Sequence, residues 1–365
     1  MLRVLKIASA FIGVIVGAGF ASGQEILQYF TSFGFLGILG ALVSTVLFAM
    51  LGMILVRLGS RTQTTSHKEI IYDICGPVLG RIIDYIIIFT LFGTGVVMLA
   101  GAGSILHQQF GMPSIAGSLI MAALVIATVL LNVDKVVAVI GSITPFLILA
   151  LIVIGIHSLS TMDLSFTKLE PIALAQKSAV SNWLLSGVNY ASFNIALGAA
   201  MALVMGGAEK NEKQAAIGGL LGGLGIGTLI LISNLAVFSR IDTVAAYDMP
   251  ILKIVDDISP YLAIIMSVIL FGMIFNTAVG MFYAFTTRMI HMNSKKKTGI
   301  FITVTVGVGF IASFFGFTDL VSFFYPTIGY FGLLLIAVLF YAPFKYFRKP
   351  QPVTAKTTKD HLTGS

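Results

Sequence analysis

Apolar segments of about 20 residues or more recur along this chain of 365 residues, and each is long enough to cross a bilayer as a helix. Only 10% of the residues are charged, against about 25% in soluble domains. The sequence therefore predicts an all-α polytopic membrane protein with ten transmembrane helices. The predicted spans cover residues 4–30, 36–57, 81–106, 114–132, 136–157, 179–206, 214–238, 260–287, 298–317 and 320–343.

The distribution of positive charge orients the spans. With the N-terminus in the cytoplasm, the outer side holds only four of the 22 lysines and arginines, namely Lys168, Lys177, Arg240 and Lys253. This positive-inside bias predicts a bacterial cytoplasmic membrane protein with both termini in the cytoplasm. It also accounts for the net charge of +7 without a nucleic-acid partner.

The domain organisation follows from the spans. We expect one membrane domain over residues 1–344, followed by a basic, disordered cytoplasmic tail over 345–365. Two outer loops, 158–178 and 240–259, are long enough to form short helices over the outer mouth. Apart from a small-molecule substrate, the partner that the sequence predicts is the lipid bilayer. The sequence leaves the oligomeric state open.

A glycine-rich polar run interrupts the first span at mid-depth. Residues 17–25 read GAGFASGQE, with apolar residues on both sides. Glycine holds a helix poorly, and a carboxylate in hydrocarbon is costly. Broken backbone at membrane depth is tolerated only where it lines a buried or water-filled cavity. The run therefore predicts a broken helix at a small-molecule binding site.

The sixth span carries a shorter echo of this run. Residues 190–194 read YASFN, and residues 20–24 read FASGQ, so aromatic, Ala, Ser, any residue and amide recur in the same order. The first span crosses outward and the sixth crosses inward. Inverted repeats with broken helices at matching positions indicate the binding site of a secondary transporter. We therefore predict inverted repeats over about 4–157 and 179–343, with helices one and six both broken.

The run GVIVGAGF, residues 13–20, resembles the first-helix signature of the amino acid–polyamine–organocation superfamily. The continuation to Glu25, the chain length and the ten spans resemble the bacterial YkvI-type membrane proteins. This resemblance implies the five-plus-five LeuT-like fold, with substrate held between spans one, three, six and eight. It also implies alternating access, in which spans one, two, six and seven rock against three, four, eight and nine.

The resemblance implies a substrate site at the two polar runs. Backbone N–H groups at the break would hold a substrate carboxylate, and nearby side chains would hold the rest of a small zwitterion. An alternative role for the glycines is close helix packing. The expected substrate-binding residues are Gly17, Ala18, Gly19, Ser22, Gln24, Tyr190, Ser192 and Asn194.

Two further groups are candidates for ion coupling. Glu25 is expected either to carry a coupling proton or to bind a substrate amine; the alternatives are a wetted position near the outer mouth or a structural partner. The resemblance also implies a sodium ion held by the carbonyls of Gly13 and Val16 with Asn276 and Thr277, where an interhelical hydrogen bond is the alternative. No organic cofactor is expected.

The function that these patterns favour is secondary active transport, or symport, of a small amino acid or related amine, coupled to Na⁺ or H⁺. The alternative is a nutrient sensor on the same fold, which binds ligand without net transport. An enzyme is not expected, since the sequence has no nucleophile–base arrangement, phosphate-binding loop or zinc motif. The single cysteine, Cys75, excludes an internal disulfide.

Overall fold

The protein is almost entirely helical in the computed structural model, which describes residues 1–64, 67–131, 144–290 and 294–347. Short 3₁₀ turns at Thr31–Phe33 and Ser313–Phe315 join some of the helices. The α-helices are α1 Leu2–Ile15, α2 Ala18–Ser22, α3 Gln24–Tyr29, α4 Phe35–Thr62, α5 His67–Phe110, α6 Ser114–Leu131, α7 Thr144–Ser160, α8 Phe166–Leu174, α9 Trp183–Gly207, α10 Glu212–Ser239, α11 Ile241–Val244, α12 Pro250–Ile258, α13 Pro260–Met289, α14 Lys295–Ala312 and α15 Phe317–Tyr346.

Seven of these helices are long and apolar enough to cross a membrane: α4, α5 from Gly76, α9, α10, α13, α14 and α15. Two shorter apolar helices, α6 and α7, and the broken segment α1–α3 lie at the other predicted spans. The described part of the chain is thus a polytopic membrane protein, as predicted. The count of ten spans and the inverted repeat stay predictions. The predicted start of the fifth span, at residue 136, lies outside the described residues. The tail predicted over 345–365 begins within α15, which continues to Tyr346, and its part from residue 348 lies outside the described residues.

The two long loops form short helices, as the sequence predicts. Helix α8 lies in the first loop, and α11 and α12 lie in the second. Helix α12 is amphipathic: Ile251, Leu252 and Val255 are buried, whereas Lys253 pairs with Asp257 on the other side. We call the side of the bundle that carries α8 and α12 the capped face; it is the predicted outer face.

The predicted break in the sixth span is wrong, because α9 runs without interruption from Trp183 to Gly207. Ser186, Asn189 and Ser192 of this helix bond to carbonyls of neighbouring helices, and its own backbone stays helical. Ser186 Oγ donates to the Tyr29 carbonyl at 2.6 Å, and Ser192 Oγ donates to the Gly329 carbonyl at 2.6 Å. A mid-span polar run can therefore serve interhelical hydrogen bonds as well as a break.

Glycine pairs bring α4 against α9 and α10 at backbone distance. A Cβ on Gly52 would lie 2.6 Å from the Gly219 carbonyl oxygen, and one on Gly40 would lie 2.9 Å from the Trp183 carbonyl oxygen. A Cβ on Gly223 would overlap the Phe48 carbonyl. Small residues at these positions allow close packing between membrane helices. We call this contact the glycine seam.

The broken first segment lies at the centre of the bundle. Helix α2 contacts α5, α12 and α13, and α3 contacts α9, α10 and α15. Residues Phe20, Ala21, Ile26 and Tyr29 are buried. Groups released by the break therefore face protein rather than lipid, as the membrane environment requires.

Candidate functional site

The first span breaks at Val16 and Gly17, as predicted. Val16 has φ −74° and ψ 85°, and Gly17 is extended with φ −94° and ψ −174°. The Val16 N–H still bonds to the Ile12 carbonyl at 2.7 Å. Within the described residues, no donor bonds the carbonyls of Gly13 and Val16. These carbonyls end α1, and the N–H groups that begin α2 have no partner inside their helix.

A second break follows at Gly23, whose φ is +83°. Ser22 bridges this break, since its Oγ donates to the Gly19 carbonyl at 2.6 Å and accepts from the Gln24 N–H at 3.1 Å. Ile251 of α12 covers Gly23, and a Cβ there would lie 2.7 Å from the Ile251 Cγ1 atom. The Ser22 hydroxyl is thus engaged with backbone, and its predicted substrate contact stays a prediction.

Glu25 places a carboxylate at the centre of the site. Its side chain belongs to the first turn of α3 and is only 4% exposed. Its Oε2 accepts a hydrogen bond from the Tyr190 hydroxyl at 3.2 Å. Its Oε1 lies over the α-carbon of Gly19, where a Cβ would overlap it and would also lie 3.3 Å from the Tyr325 hydroxyl. Only glycine at position 19 leaves room for this carboxylate.

No lysine, arginine or histidine of the described residues forms an ion pair with Glu25. A buried carboxylate without a counter-charge loses several kcal/mol of hydration, which one phenol hydrogen bond does not restore. A proton or a cation at the carboxylate would offset this cost. The wetted position considered from sequence does not fit this burial, whereas the structural partner stays an alternative, since Tyr190 donates to the carboxylate.

Aromatic rings surround the carboxylate, and we call Tyr29, Tyr190, Phe193 and Tyr325 the aromatic wall. The Tyr29 and Tyr190 ring centroids are 5.1 Å apart, those of Tyr190 and Phe193 are 5.2 Å apart, and those of Phe193 and Tyr325 are 4.8 Å apart. The wall joins α3, α9 and α15. Aromatic faces attract cations, and phenol oxygens can bond to them, so the wall complements the carboxylate.

Three members of this site were not predicted as binding residues: Tyr29, Asn189 and Tyr325. The Tyr29 hydroxyl donates to Asn189 Oδ1 at 3.2 Å, and Asn189 Nδ2 donates to the Pro326 carbonyl at 3.0 Å. Tyr29 lies four residues after Glu25 and so on the same face of a helix, which is a signal available in the sequence. No local pattern places Tyr325 beside Glu25, since the contact depends on how α15 packs.

Of the other predicted binding residues, one contacts Glu25, and two are hydrogen-bonded to backbone carbonyls. Tyr190 contacts Glu25 directly. Ser192 bonds to the Gly329 carbonyl, and Asn194 Nδ2 bonds to the Tyr190 carbonyl at 3.0 Å. Gln24 is buried, and its Oε1 has no hydrogen-bond partner among the described residues. Gln24 is therefore the predicted amide with a free acceptor.

The candidate sodium ligands on α13 differ from each other. Asn276 Oδ1 is buried without a hydrogen-bond partner in the described part of the chain. Thr277 Oγ1 donates to the Met273 carbonyl at 3.0 Å, so its lone pairs remain available to a cation. Together with the carbonyls of Gly13 and Val16, these oxygens are of the type that hard cations prefer.

Two threonines of α5 also carry unpaired hydroxyls. Thr90 and Thr94 are buried, and their Oγ1 atoms have no partner within the described residues. Other threonines of the bundle, such as Thr286 and Thr305, bond back to the carbonyl four residues earlier. Gly93, next to Thr94, contacts Phe324. The two hydroxyls thus lie on the helix that packs beside Tyr325.

The capped face is closed above the site. Asp248 accepts from Ser104 Oγ at 2.7 Å and from Thr318 Oγ1 at 2.5 Å. Gln108 bonds to the Met249 backbone in both directions, at 3.0 and 3.1 Å. These bonds tie the segment before α12 to α5 and α15. With Ile251 over Gly23, they separate Glu25 from the capped face.

Comparison with known proteins agrees with this architecture. The membrane protein YkvI of Bacillus subtilis (strain 168), itself uncharacterised, is 31% identical over 336 residues, which span 92% of this chain and 94% of the relative. MhsT in complex with L-phenylalanine has a TM-score of 0.64 at 17% identity, over 92% of this chain and 88% of that chain. The inward-facing conformation of Mhp1 has a TM-score of 0.60 at 13% identity, over 94% and 77%. No protein-family profile matches the chain.

The two solved structures establish the fold, since they share little sequence with this chain. Both are LeuT-fold transporters rather than enzymes. The similarity to YkvI extends over almost the whole length of both chains. The chain therefore belongs to the family of the membrane protein YkvI and has the LeuT-like fold.

Proposed function

We propose that this protein is a secondary active transporter that moves a small amino acid or related amine across the cytoplasmic membrane by alternating access, coupled to Na⁺ or H⁺. The observation that carries the proposal is the buried, unpaired carboxylate of Glu25 beside a broken helix at mid-depth. Free backbone groups, a carboxylate and aromatic rings together suit a small charged ligand. The neighbour MhsT, which was solved with L-phenylalanine, supports a ligand of this size.

The capped face of the bundle is closed over the site. The bonds of Asp248 and Gln108 hold the segment before α12 against α5 and α15. Alternating access requires that the site be closed toward one side at a time, so this closure supports the proposal.

Sodium coupling would use the oxygens at the end of α1. The carbonyls of Gly13 and Val16, with Asn276 Oδ1 and Thr277 Oγ1, would hold the ion and so favour the packing of α1 against α13. Thr277→Ala removes one oxygen and is expected to raise the sodium concentration needed for half-maximal uptake about tenfold. Thr286→Ala is the matched control, because its hydroxyl also bonds back to a carbonyl but lies two turns further along α13.

Uptake into proteoliposomes tests transport itself. Vesicles containing the purified full-length chain are offered labelled phenylalanine, leucine, phenethylamine and isoamylamine, under an imposed sodium gradient or an imposed pH gradient. Accumulation of at least one probe above its external concentration is expected. Uptake that is unchanged when potassium replaces sodium would remove the sodium site, and specific binding without any flux would replace transport by the sensor function.

A further inference from the structure

We infer that Glu25 binds either a proton or the ammonium group of a substrate amine that lacks a carboxylate, so that the protein exchanges amine for protons. This inference rests on the proposed transport function and deepens it. It names the substrate class, a small organic cation, and the mode of coupling, antiport at one shared carboxylate. It replaces the zwitterion and the symport expected from sequence.

The first step concerns the charge on Glu25. The carboxylate is buried, has one hydrogen bond to the protein, and has no cationic partner among the described residues. A buried anion needs a compensating positive charge. A proton, a metal cation or an organic cation can supply it, and the phenols and rings around this carboxylate favour a proton or an organic cation. Because both need the same carboxylate oxygens, occupancy by one excludes the other.

The groups that face Glu25 add no further charge to the competition between a proton and an ammonium group for its carboxylate. They are phenols: Tyr29 from its own helix α3, Tyr190 from α9 and Tyr325 from α15. Helix α10, which also packs against α3, brings the amide of Asn234, bound by Thr31 Oγ1 at 2.8 Å. No second acid, lysine, arginine or histidine of the described part of the chain faces the carboxylate. One titratable acid therefore accounts for the exchange.

The second step concerns the substrate carboxylate that the sequence predicted. Its expected place was beside the N–H groups of Gly17, Ala18 and Gly19, at the positive end of α2. Glu25 Oε1 already lies over the α-carbon of Gly19, in the direction of a Cβ, which tilts toward the start of a helix. A substrate carboxylate bound there would lie against another carboxylate. The charge that this place can accept is therefore positive.

The third step concerns the rest of the ligand. The aromatic wall brings rings from α3, α9 and α15 to the carboxylate. These rings pack on one another in this structure, so a ligand has to part them before an ammonium group reaches a ring face. The hydroxyls of Tyr190 and Tyr325 lie at the same carboxylate and can accept hydrogen bonds from an ammonium group. An amine with an apolar body satisfies the carboxylate, the phenols and the rings together.

Competition at one site fixes the coupling. A proton is carried one way and the ammonium group the other, and each crossing neutralises the same carboxylate. A monoamine exchanged for one proton moves no net charge across the membrane. In a bacterial cell, with its more acidic exterior, this cycle moves the amine outward.

Matched ligand pairs test the substrate class. Phenethylamine is phenylalanine without its carboxylate, and isoamylamine is leucine without its carboxylate. Binding to the purified protein is measured calorimetrically in sodium-free potassium buffer between pH 5.5 and 9. Each amine is expected to bind at least tenfold more tightly than its amino acid. Once protons occupy most of the Glu25 carboxylates, each further drop of one pH unit is expected to raise the apparent Kd of the amine about tenfold.

Flux measurements test the exchange. Proteoliposomes loaded with phenethylamine are diluted into amine-free, sodium-free buffer, and a trapped pH dye reports internal protons. Amine efflux is expected to acidify the lumen faster than in protein-free vesicles and in vesicles that carry Glu25→Gln, which report the leak of the neutral amine. The lumen gains one proton per amine released, and a potassium–valinomycin clamp is expected to leave the rate unchanged. Protons that move with the amine, or tighter binding of the amino acids, would overturn the inference while transport stands. Amine binding without any flux would overturn both proposals.

Two variants separate chemistry from folding. Glu25→Gln keeps the shape of the side chain and is expected to abolish both amine binding and its pH dependence. Tyr190→Phe keeps the ring and removes the hydroxyl, and we expect it to weaken amine binding about tenfold. Glu170→Gln, on α8 outside the site, is the control for charge removal. If Glu25→Gln does not yield monodisperse protein, normal amine binding by Tyr190→Phe would still count against the inference.

Discussion

We expect the hydrogen bonds of Asp248 to set how often the capped face opens. Its carboxylate accepts from Ser104 and Thr318, and a hydrogen bond to a charged acceptor contributes about 1.5–3 kcal/mol. Asp248 is half-buried, so we halve the lower value for each bond and expect a loss of about 1.5 kcal/mol on Asp248→Ala. This corresponds to an increase of about tenfold in the open fraction.

Hydrogen–deuterium exchange of the α12 amides measures this opening. Peptides that cover Pro250–Ile258 are expected to exchange about tenfold faster in Asp248→Ala, because the segment that leads into α12 loses its bonds to α5 and α15 and the helix unfolds locally from that end. Asp257→Ala is the control, since its carboxylate pairs with Lys253 within α12. Equal exchange in the wild type and Asp248→Ala would refute the role of Asp248.

Three further predictions concern glycines. Gly19→Ala is expected to weaken ligand binding at least tenfold by titration calorimetry, because its Cβ would overlap Glu25. Gly17→Ala is the control and is expected to bind nearly normally, because its Cβ meets nothing closer than 4.0 Å. Gly23→Ala is expected to lower the Tm more than Gly316→Ala, since both have positive φ but only Gly23 is covered by another side chain. Gly223→Val is expected to cost about 1–3 kcal/mol through overlap with the Phe48 carbonyl, and Gly280→Val, with open space around it, is expected to show no comparable drop in Tm.

The sequence predicted the break in the first span because several unfavourable features coincide there. Glycines, amides and a carboxylate within one apolar segment have few explanations other than a broken helix at a site. The helices over the capped face were also predictable, because α12 alternates buried apolar residues with Lys253, Asp256 and Asp257 at helical spacing.

The sixth span shows where the same reasoning fails. Its polar residues are buried at mid-span as predicted, but no pair of glycines there interrupts the helix. The side chains of Ser186, Asn189 and Ser192 instead bond to carbonyls of α3 and α15. Sequence alone records that a polar side chain lies in a membrane span. It does not record whether the partner is a ligand, the backbone of a neighbour or the chain's own broken helix.

The candidate site was predictable to the extent that it is local. Glu25, Gly19 and Tyr190 belong to the two polar runs, and the structure brings these three together. Tyr325 reaches Glu25 from a segment three hundred residues away in the chain, and no spacing rule applies over that distance. The direction of the Glu25 side chain, back over Gly19, also depends on the turn at Gly23.

The glycine seam bears on how the chain assembles in the bilayer. Helix α4 belongs to the first half of the chain, while its backbone partners α9 and α10 belong to the second half and leave the ribosome much later. Until they arrive, the stripe of glycines on α4 faces lipid chains, which cannot reproduce contact with a carbonyl. If the first half of the chain were made alone, the glycines of α4 would therefore form a shallow groove exposed to lipid. Only the full-length chain supplies the α9 and α10 backbone that fills this groove.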